Sequence, residues 1–397
     1  MLCLVSAGED FLLTTFTQAN VSTNSVPNDA KISLDTIKKI ASEIGFHVLG
    51  ALRLVEAKDR LALEKSRLIE WQRSGFAASM SYMERNPDLF LNPSKLLPET
   101  SSILTLAIPY SSFPHMHSSS IATSPSQARI ALYARGRDYH NVIKKRLKSL
   151  VAIVSQYSGR TVNARFFSDA VPILEKPLAE AAGLGFIGKN TLLIRPKIGS
   201  FFFLSEILWD VELDIECGFR TSEKTLTRQI TSGRAISCGT CQRCLLNCPT
   251  GALKRAGVLD PRLCISYLTI EHKGAFSTWQ RSAIGSWLFG CDQCQDVCPF
   301  NCTGMDLDLW PEFRDDAGVG QILELEEILL IRSQEEFRDI FEGTPLMRAG
   351  REHLLRNAAA VLGNNRCSSL IPLLREVAQN DESILVRGEA QAALLRF

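Results

Sequence analysis

The sequence predicts a three-part protein: an α/β domain, a cysteine-rich module, and a C-terminal set of α-helical repeats. Three observations predict this arrangement. Helix and strand patterns alternate up to about residue 225, nine of the twelve cysteines lie between Cys238 and Cys302, and alanine-rich helical segments recur near the C-terminus. A chain of 397 residues also exceeds what one hydrophobic core usually fills.

The first thirty residues predict a poorly ordered extension. Residues 1–30 are polar and aperiodic, and their apolar start has no basic residues before it and is interrupted at Gly8, so we expect no signal peptide. The longest uncharged stretch, 101–128, contains several prolines and cannot form a membrane-spanning helix. We expect a soluble, cytoplasmic protein that acts as a monomer without a membrane. Its net charge of +1 gives no overall attraction to nucleic acid.

Residues 31–225 predict the α/β domain. A helical pattern ends at Gly45 before a short apolar strand, and a long helical pattern closes at Gly159. Strands are expected at 48–52, 103–110, 129–134 and 161–167. This alternation of helices and strands is typical of an α/β domain.

Residues 226–315 contain two cysteine runs. CGTCQRCLLNCP has the C-x2-C-x2-C-x3-C-P spacing of bacterial ferredoxins, and CDQCQDVCP adds three more cysteines before a proline. Cys264, in RLCISYL, is the natural eighth ligand. The pattern predicts a ferredoxin-like domain with two 4Fe-4S clusters.

The fourth cysteine of each run crosses to the other cluster in two-cluster ferredoxins. This predicts one site formed by Cys238, Cys241, Cys244 and Cys298, and a second formed by Cys248, Cys264, Cys291 and Cys294. The alternative is a pair of structural zinc sites, because C-x2-C pairs also bind zinc. The proline after each run favours clusters. We interpret Cys302 as a spare thiol, with an alternative role as a ligand.

Residues 316–397 predict HEAT-like helical repeats. RNAAAVLGN (356–364) and RGEAQAALLRF (387–397) resemble one another, with alanines beside leucines in each. Two repeats are too few to be stable alone, so we expect them to dock on the rest of the protein and leave one face for a partner.

Two segments of the α/β domain carry candidate catalytic residues. Asp169 follows a strand and precedes a helix expected after Pro172, at a position where ligands collect in α/β domains, but it could equally cap that helix. Asp138 and His140 lie at another strand-to-helix turn, where Asp138 could be a cap. The D-Y-H triplet there matches the D-x-H of cobalt-ligating proteins poorly, because Ile143 replaces the expected glycine.

Several motifs occur together in this chain: YARGRDYH, the D-x-x-P-x-L-E-K segment from Asp169, AGLGFIGKNTLLI, CGTCQRCLLNCPTGAL, RLCISYLTIEHKG, IGSWLFGCDQCQDVCPFN and TPLMRAGREHLLRNAAAVLGN. With them the chain resembles the epoxyqueuosine reductases, the cobalamin- and iron-sulfur-dependent enzymes of the last step of queuosine synthesis in tRNA. The resemblance spans most of the chain. It implies a base-off cobalamin in the first domain that receives electrons through the clusters, with Asp169 as the proton donor.

The resemblance also implies which residues contact the bound groups. The implied cobalamin contacts are Tyr133, Arg137, Asp138, Asp169, Lys189, Asn190, Ser266 and Asp292. The substrate is the anticodon stem-loop of a tRNA carrying epoxyqueuosine, and an external low-potential donor supplies the electrons. The basic side chains that could follow tRNA phosphates are Lys254, Arg255, Arg262, Lys273, Arg348, Arg351 and Arg356.

Two other functions share parts of these patterns. A reductive dehalogenase would use the same kinds of cofactor, but those proteins usually carry an export signal and lack C-terminal repeats. An electron-transfer subunit of the ferredoxin type would have no chemistry of its own. Asp169, beside a large α/β domain, favours a catalytic protein over such a subunit.

Overall fold

The computed structural model describes residues 31–111, 124–215, 237–302 and 308–397. The predictions for residues 1–30 lie outside these ranges. The domain boundaries given above remain predictions. Among the helices in the described ranges, none is long and apolar enough to cross a membrane.

The strands form a four-stranded sheet, a three-stranded sheet and short two-stranded pairs. They are β1 (Ile32–Ser33), β2 (Val48–Arg53), β3 (Ser102–Pro109), β4 (Gln127–Ile130), β5 (Ala164–Phe167), β6 (Phe186–Ile187), β7 (Leu193–Ile194), β8 (Phe202–Trp209), β9 (Leu213–Asp214), β10 (Leu253–Arg255), β11 (Val258–Leu259), β12 (Trp287–Phe289) and β13 (Ile322–Glu324).

The α-helices of the described chain cover both faces of the larger sheet and form most of the C-terminal region. They are α1 (Leu34–Glu43), α2 (Leu54–Ala62), α3 (Lys65–Arg73), α4 (Pro87–Leu91), α5 (Tyr139–Ser158), α6 (Glu175–Ala181), α7 (Arg243–Leu246), α8 (Ile265–Ile270), α9 (Thr278–Ala283), α10 (Gln293–Asp296), α11 (Pro299–Cys302), α12 (Leu325–Leu329), α13 (Gln334–Phe341), α14 (Gly350–Asn365), α15 (Ile371–Asn380) and α16 (Ile384–Leu394).

The four-stranded sheet, in the order β2-β3-β8-β5, forms the centre of the N-terminal region. Helices α1 and α5 pack on one face and α2 and α6 on the other, so the long apolar strands β3 and β8 are buried on both sides. Every pairing in this sheet is antiparallel. The rule for where ligands collect in α/β domains is one for parallel strands, so it does not support the expected position of Asp169. Sequence periodicity reports which residues are buried and carries no information on strand direction.

Helix α5 begins and ends as predicted. The side chain of Asp138 caps its N-terminus by accepting a hydrogen bond from the backbone N–H of His140 at 3.0 Å. Gly159 ends the helix in the left-handed conformation, with φ of 66°. The helix is amphipathic, and its buried side packs on the four-stranded sheet.

The strand predicted at 129–134 is wrong in extent and in location. Strand β4 ends at Ile130, and a 3-10 turn covers Leu132–Ala134. β4 pairs with β12 and β13, so it joins the cysteine module and the C-terminal region instead of the four-stranded sheet. A short apolar run predicts burial, but its pairing partner is decided by contacts far away in the sequence.

The C-terminal helices dock on the cysteine module, as expected for repeats that cannot be stable alone. Helix α14 packs against α16, β12 and α8. A Cβ on Gly363 would lie 3.0 Å from Cβ of Ala393, so glycine permits the close approach of α14 and α16. The buried amide of Asn357 donates to the backbone oxygens of Thr269 and Leu288 at 2.8 and 3.0 Å. The HEAT-like character of the repeats remains a prediction.

Candidate active site

The first predicted set of cluster ligands lines one open cavity. Lys189 and Asn190 lie on the same cavity wall. The cysteines that line it are Cys238, Cys241, Cys244 and Cys298. Cys298, which the crosswise pattern takes from the second run, therefore lies beside the three cysteines of the first run.

Short turns hold the first cysteines around this cavity. The backbone N–H of Cys241 donates to the oxygen of Cys238 at 3.0 Å, and α7 carries Cys244. Lys189 fastens the same loop, because its Nζ donates to the backbone oxygens of Gly239 and Cys241 at 2.7 and 2.8 Å. The backbone N–H of Lys189 also donates to Sγ of Cys238 at 3.4 Å.

Asn190 supplies an unused hydrogen-bond donor to the cavity. Its side chain lines the cavity wall, the residue is 4% exposed, and its Nδ2 has no hydrogen-bond partner among the described residues. Cluster sulfurs accept hydrogen bonds from protein N–H groups. Four thiols together with the Asn190 amide and the backbone N–H of Lys189 thus form a donor set that fits a 4Fe-4S cluster.

The second predicted set of ligands also comes together. Burial raises the pKa values of Cys291 and Cys294 well above the usual range, and the nearby Cys264 raises both further. Burial likewise raises the pKa of Cys264, with a smaller contribution from Cys248. Cys248 and Cys244 both contribute to the raised pKa of Cys294. Since Cys244 belongs to the first group, the two groups adjoin at this point.

None of these thiols forms a disulfide among the described residues. In the described parts of the chain, no three His, Cys, Asp or Glu side chains converge closely enough to hold a single metal ion. A zinc ion needs its sulfur ligands at about 2.3 Å, whereas a cubane distributes its ligands over four irons. Cys302 is exposed, and its Sγ lies 3.5 Å from the backbone oxygen of Cys298.

Asp169 is the centre of a hydrogen-bonded group at the start of α5. Its Oδ2 accepts a hydrogen bond from the hydroxyl of Tyr139, and its Oδ1 lies 2.6 Å from Nε2 of His140. Nδ1 of His140 in turn lies 2.8 Å from Oδ1 of Asp138. Asp169 does not cap α6, which begins six residues later at Glu175, so the alternative role as a helix cap is wrong.

His140 is held between two carboxylates. Burial opposes the imidazolium, but the hydrogen bonds to Asp138 and Asp169 outweigh it and raise the pKa of His140 to about 9. Burial and the charge of Asp169 raise the pKa of Tyr139. Both ring nitrogens of His140 therefore have carboxylate partners.

Tyr82, Glu271 and Arg348 complete the surroundings of Asp169, and sequence reasoning placed none of the three there. The guanidinium of Arg348 donates to Glu271 at 2.9 and 3.1 Å and lies 5.7 Å from the ring of Tyr82. The charge of Asp169 contributes to the raised pKa of Tyr82, after burial and Glu271. These residues are far apart in the sequence, so no spacing pattern predicts that they meet. Tyr139, Glu271 and Arg348 each lie in a motif quoted above, but the motifs do not show that the three side chains surround Asp169.

The predicted cobalamin contacts lie in two places. Tyr133 is close to Asp169 and Asp292. Burial raises the pKa of Tyr133, and the charges of these two carboxylates raise it further. Asp292 also contributes to the raised pKa of Cys294, and its carboxylate accepts from the backbone N–H of Leu132 at 2.7 Å. Asp292 therefore lies between Tyr133 and the second cysteine group. Lys189 and Asn190 face the first cysteine group.

Aromatic rings and polar groups near Tyr133 form a donor set that fits a corrin. The Tyr133 ring is 6.4 Å from Tyr139 and 6.2 Å from Phe289. An apolar macrocycle bearing amide groups suits such aromatic faces with hydroxyls and carboxylates at their edges. Ser266 lies in α8, next to the second cysteine group, and Arg137 is exposed near Gly343.

The basic residues proposed for tRNA divide into exposed and buried ones. Arg351 is buried and paired with Asp381 at 2.5 Å. Arg356 is fully buried and donates to backbone oxygens, including that of His272 at 2.7 Å. The phosphate role is therefore wrong for both, because neither guanidinium reaches the surface. The remaining five keep an exposed or partly exposed side chain: Lys254, Arg255, Arg262, Lys273 and Arg348.

Two family models match parts of the chain, and curated relatives match most of it. A model described as a 4Fe-4S double cluster binding domain matches residues 237–301, and one described as epoxyqueuosine reductase QueG, DUF1730, matches residues 91–170. The epoxyqueuosine reductase of Pseudomonas aeruginosa is 38% identical over 378 residues, covering 94% of this chain and 96% of the relative. That of Escherichia coli K12 is 34% identical over 343 residues, covering 86% and 83%.

Solved structures match over a similar length. A crystal structure of a selenomethionine-labelled epoxyqueuosine reductase has a TM-score of 0.76 and 28% identity, covering 91% of this chain and 89% of that one. A crystal structure of an epoxyqueuosine reductase with an epoxyqueuosine-modified stem-loop of tyrosine tRNA has a TM-score of 0.75, with the same identity and coverage.

Proposed function

Since this chain belongs to the epoxyqueuosine reductase family, we propose that it reduces epoxyqueuosine in the anticodon loop of tRNA with electrons from two 4Fe-4S clusters and a base-off cobalamin, and with a proton from Asp169. The reduction of epoxyqueuosine follows from the family. The observation that carries the role of Asp169 is its carboxylate, which contacts both Tyr139 and His140 beside Tyr133.

The reaction converts an epoxide to an alkene. Both carbon–oxygen bonds break, two electrons and two protons are consumed, and the oxygen leaves as water. Side chains can supply the protons but not the electrons, so redox cofactors must be bound. The tasks left to the chain are to hold those cofactors, to orient the modified base and to deliver a proton.

We assign the cluster ligands as the crosswise pattern predicts. The first cluster is bound by Cys238, Cys241, Cys244 and Cys298, and the second by Cys248, Cys264, Cys291 and Cys294. The cavity around the first group and the mutual effects on cysteine pKa values in the second support this assignment. Lys189 and Asn190 then act as neighbours of the first cluster and not as cobalamin contacts, because their polar groups face its cavity.

The residues that would hold cobalamin lie between the second cysteine group and Asp169. We propose Tyr133, Arg137, Asp138, Ser266 and Asp292 for this role, with Asp169 at the reacting face. Bound clusters and cobalamin would supply the two electrons at low potential. The close approach of Asp292 to both Tyr133 and Cys294 supports placing the corrin beside the second cluster.

Asp169 forms a hydrogen-bonded chain with two other side chains, Tyr139 and His140, and we propose that this chain supplies the proton. The hydroxyl of Tyr139 and the imidazole of His140 fix the orientation of the Asp169 carboxyl group. The His140 and Asp169 side chains are 42% and 55% exposed, so both reach solvent. After Asp169 has given its proton to the oxygen of the epoxide, an imidazolium at His140 can restore that proton.

The tRNA substrate requires a basic surface near this site. Lys273 is exposed. Arg348 lies near Asp169, whose charge contributes to the raised pKa of Arg348. We propose that both approach phosphates of the anticodon stem-loop, because phosphate contacts position nucleic acid on a protein. An external donor of low potential supplies the electrons.

The function is tested by mass spectrometry of tRNA nucleosides. Anaerobically reconstituted protein is incubated with reductant, cobalamin and tRNA containing epoxyqueuosine, and conversion to queuosine is expected. Asp169→Asn should retain its iron and its corrinoid absorbance while losing at least about a hundredfold in turnover, since general acids contribute about that much or more.

Asp35→Asn is a matched control, because Asp35 is exposed on α1. It should convert tRNA at the rate of the unchanged protein. Normal turnover by the Asp169 variant would show that another group donates the proton. A reconstituted protein without corrinoid absorbance would contradict the cobalamin assignment.

A further inference from the structure

Glu206 is a buried acid in the middle of an apolar strand. It lies in β8, within FFFLSEILW, and is 0% exposed. Neighbouring residues on its side of the strand, Leu204 and Leu208, pack in the core that α6 also joins. Neither carboxyl oxygen of Glu206 has a partner at hydrogen-bonding geometry among the described residues. A carboxyl group in such a place is costly unless it is protonated or shares a proton.

The group that faces Glu206 is the carboxyl of Glu175, at the first position of α6. Ionised Glu175 raises the pKa of Glu206, although the two carboxyl groups do not meet at hydrogen-bonding geometry. The other titratable groups that act on Glu175 are Asp169, Lys176 and Tyr139. The Nζ of Lys176 donates to the backbone oxygen of Thr191 at 2.9 Å, and its charge lowers the pKa of Glu175 by less than burial and Asp169 raise it.

Glu175 also holds the backbone of Asp169. Its Oε1 accepts a hydrogen bond from the backbone N–H of Asp169 at 2.6 Å. Asp169 has a φ of 43°, a conformation that residues other than glycine rarely adopt. A strained backbone persists only where its surroundings hold it. The Glu175 carboxylate is the side-chain contact that does so here.

Glu206 is fully buried and Glu175 is half-buried, and two neighbouring carboxyl groups in such a setting are not both ionised at neutral pH. Burial raises the pKa of Glu206 well above its usual value, and Glu175 raises it further. Burial and the charge of Asp169 raise the pKa of Glu175 to about 7. Above about pH 7 the pair therefore consists of neutral Glu206 and ionised Glu175, and below that pH both are neutral.

We propose that Glu206 and Glu175 are positioning residues for the proton donor: protonated Glu206 keeps Glu175 ionised, and ionised Glu175 clamps the strained backbone of Asp169. The proposal rests on the function proposed above. An ionised acceptor forms a stronger hydrogen bond than a neutral one. The clamp is consequently strong above about pH 7 and weak below it.

The test compares the turnover of variant and unchanged proteins across pH. Glu175→Gln keeps an acceptor oxygen but is neutral at every pH. Its turnover should be about tenfold below that of the unchanged protein near pH 8 and should converge to within about twofold near pH 6, where Glu175 is itself protonated. A purely structural role predicts the same ratio at every pH, and a constant ratio would overturn the proposal.

Glu206→Gln replaces the neutral acid by a neutral amide. Because no charge changes, the ratio of variant to unchanged turnover should stay near one from about pH 6 to about pH 8. A ratio that falls instead would contradict the proposal. Iron content and corrinoid absorbance report folding of both variants independently of turnover.

Infrared spectroscopy of the reconstituted protein gives a readout without turnover. A protonated buried carboxyl has its own carbonyl stretching band near pH 8, which should disappear in Glu206→Gln. The band should remain in Glu212→Gln, because Glu212 is an exposed acid. A band that survives in Glu206→Gln would overturn the proposal. If tRNA is not converted even by the unchanged protein, the proposed function fails, whereas this band still decides whether the pair shares a proton.

Discussion

The cysteine module and the Asp169 site differ in how their functional residues are brought together. The predicted cluster ligands lie between Cys238 and Cys298, and most of them are two or three residues apart. The Asp169 site takes Tyr82, Tyr139 and Arg348 from separate parts of the chain. Short spacing specifies the first site almost locally, whereas the second depends on the packing of the whole molecule.

This difference has an energetic consequence. A cluster supplies its own bonds to the thiolates and orders their loops when it binds, in the way that metals stabilise small domains. The acid site has no such covalent source of order. Its geometry depends on individual hydrogen bonds, such as the one between Glu175 and the Asp169 backbone, each worth about 1–3 kcal/mol when a charge is involved.

The largest expected effect comes from removing a ligand in the cysteine module. Cys294→Ala should lower the iron content from about eight to about four per chain, because one of two cubanes loses a ligand. Turnover of epoxyqueuosine tRNA should then fall below detection, since no electron path remains. Iron analysis and electron paramagnetic resonance of the reduced protein measure the loss.

Cys302→Ala is the matched control in the same module. Cys302 is exposed and stands outside both predicted ligand sets. The variant should keep about eight irons per chain and full turnover. Loss of one cluster in this variant, with both clusters retained in Cys294→Ala, would reverse the assignment of these two thiols.

The sequence predicted those parts of the fold that are encoded locally. The ends of α5 at Asp138 and Gly159 were correct, because a cap and a left-handed glycine act within one turn. The antiparallel direction of the four-stranded sheet and the partners of β4 were not predicted. Both depend on contacts between distant segments, which periodicity does not report.

Prediction from the sequence has the same limit for individual side chains as for strand pairing. Arg351 and Arg356 look like surface charges in the sequence, yet a buried carboxylate and backbone oxygens satisfy them. Tyr139 stood within a recognised motif, but its bond to Asp169 needs the fold. Glu206 did leave a signal, because a single acid within an apolar strand is unusual.

The next largest effect tests the assembled site. His140→Gln removes the imidazolium that contacts Asp138 and Asp169. Turnover should fall by about tenfold, the value expected when a charged hydrogen bond that orients a catalytic group is lost. Cluster content should not change. Steady-state turnover with tRNA and iron analysis together distinguish a lost proton path from a lost cluster. An unchanged rate would show that His140 is not part of the proton path.

The same variant should change how stability depends on pH. The pKa of His140 is about 9 in the folded protein, above the usual value of about 6.5. Its charged form therefore stabilises the fold fully below about pH 6.5, and this contribution is lost as the pH rises through about 9. Asp138 shows the reciprocal effect: burial would raise its pKa, but the bonds to His140 lower it.

Thermal unfolding under anaerobic conditions measures this contribution. The apparent Tm of the unchanged protein should decrease from about pH 6.5 to about pH 9.5 by more than that of His140→Gln. The difference should be small, because the His140 side chain is partly exposed and solvent weakens its ion pairs. Equal decreases in both proteins would show that the histidine gains no charge stabilisation from its two partners.

The smallest expected effect separates exposed from buried cations in the C-terminal half. Lys273→Ala should weaken binding of the tRNA stem-loop a fewfold and reduce the slope of log affinity against log salt by about 0.7–0.9, the value for one lost phosphate contact. Its stability should not change. Lys38→Ala, in the exposed part of α1, should leave both affinity and slope unchanged.

Arg356→Ala should behave in the opposite way. The guanidinium donates to the backbone oxygens of Leu268, His272 and Gly274, so its removal leaves buried acceptors without partners and should destabilise the protein by about 3 kcal/mol. Because Arg356 reaches no phosphate, the salt slope of the folded fraction should stay that of the unchanged protein. A reduced slope for Arg356→Ala, with a normal slope for Lys273→Ala, would show that tRNA binding rearranges this part of the chain.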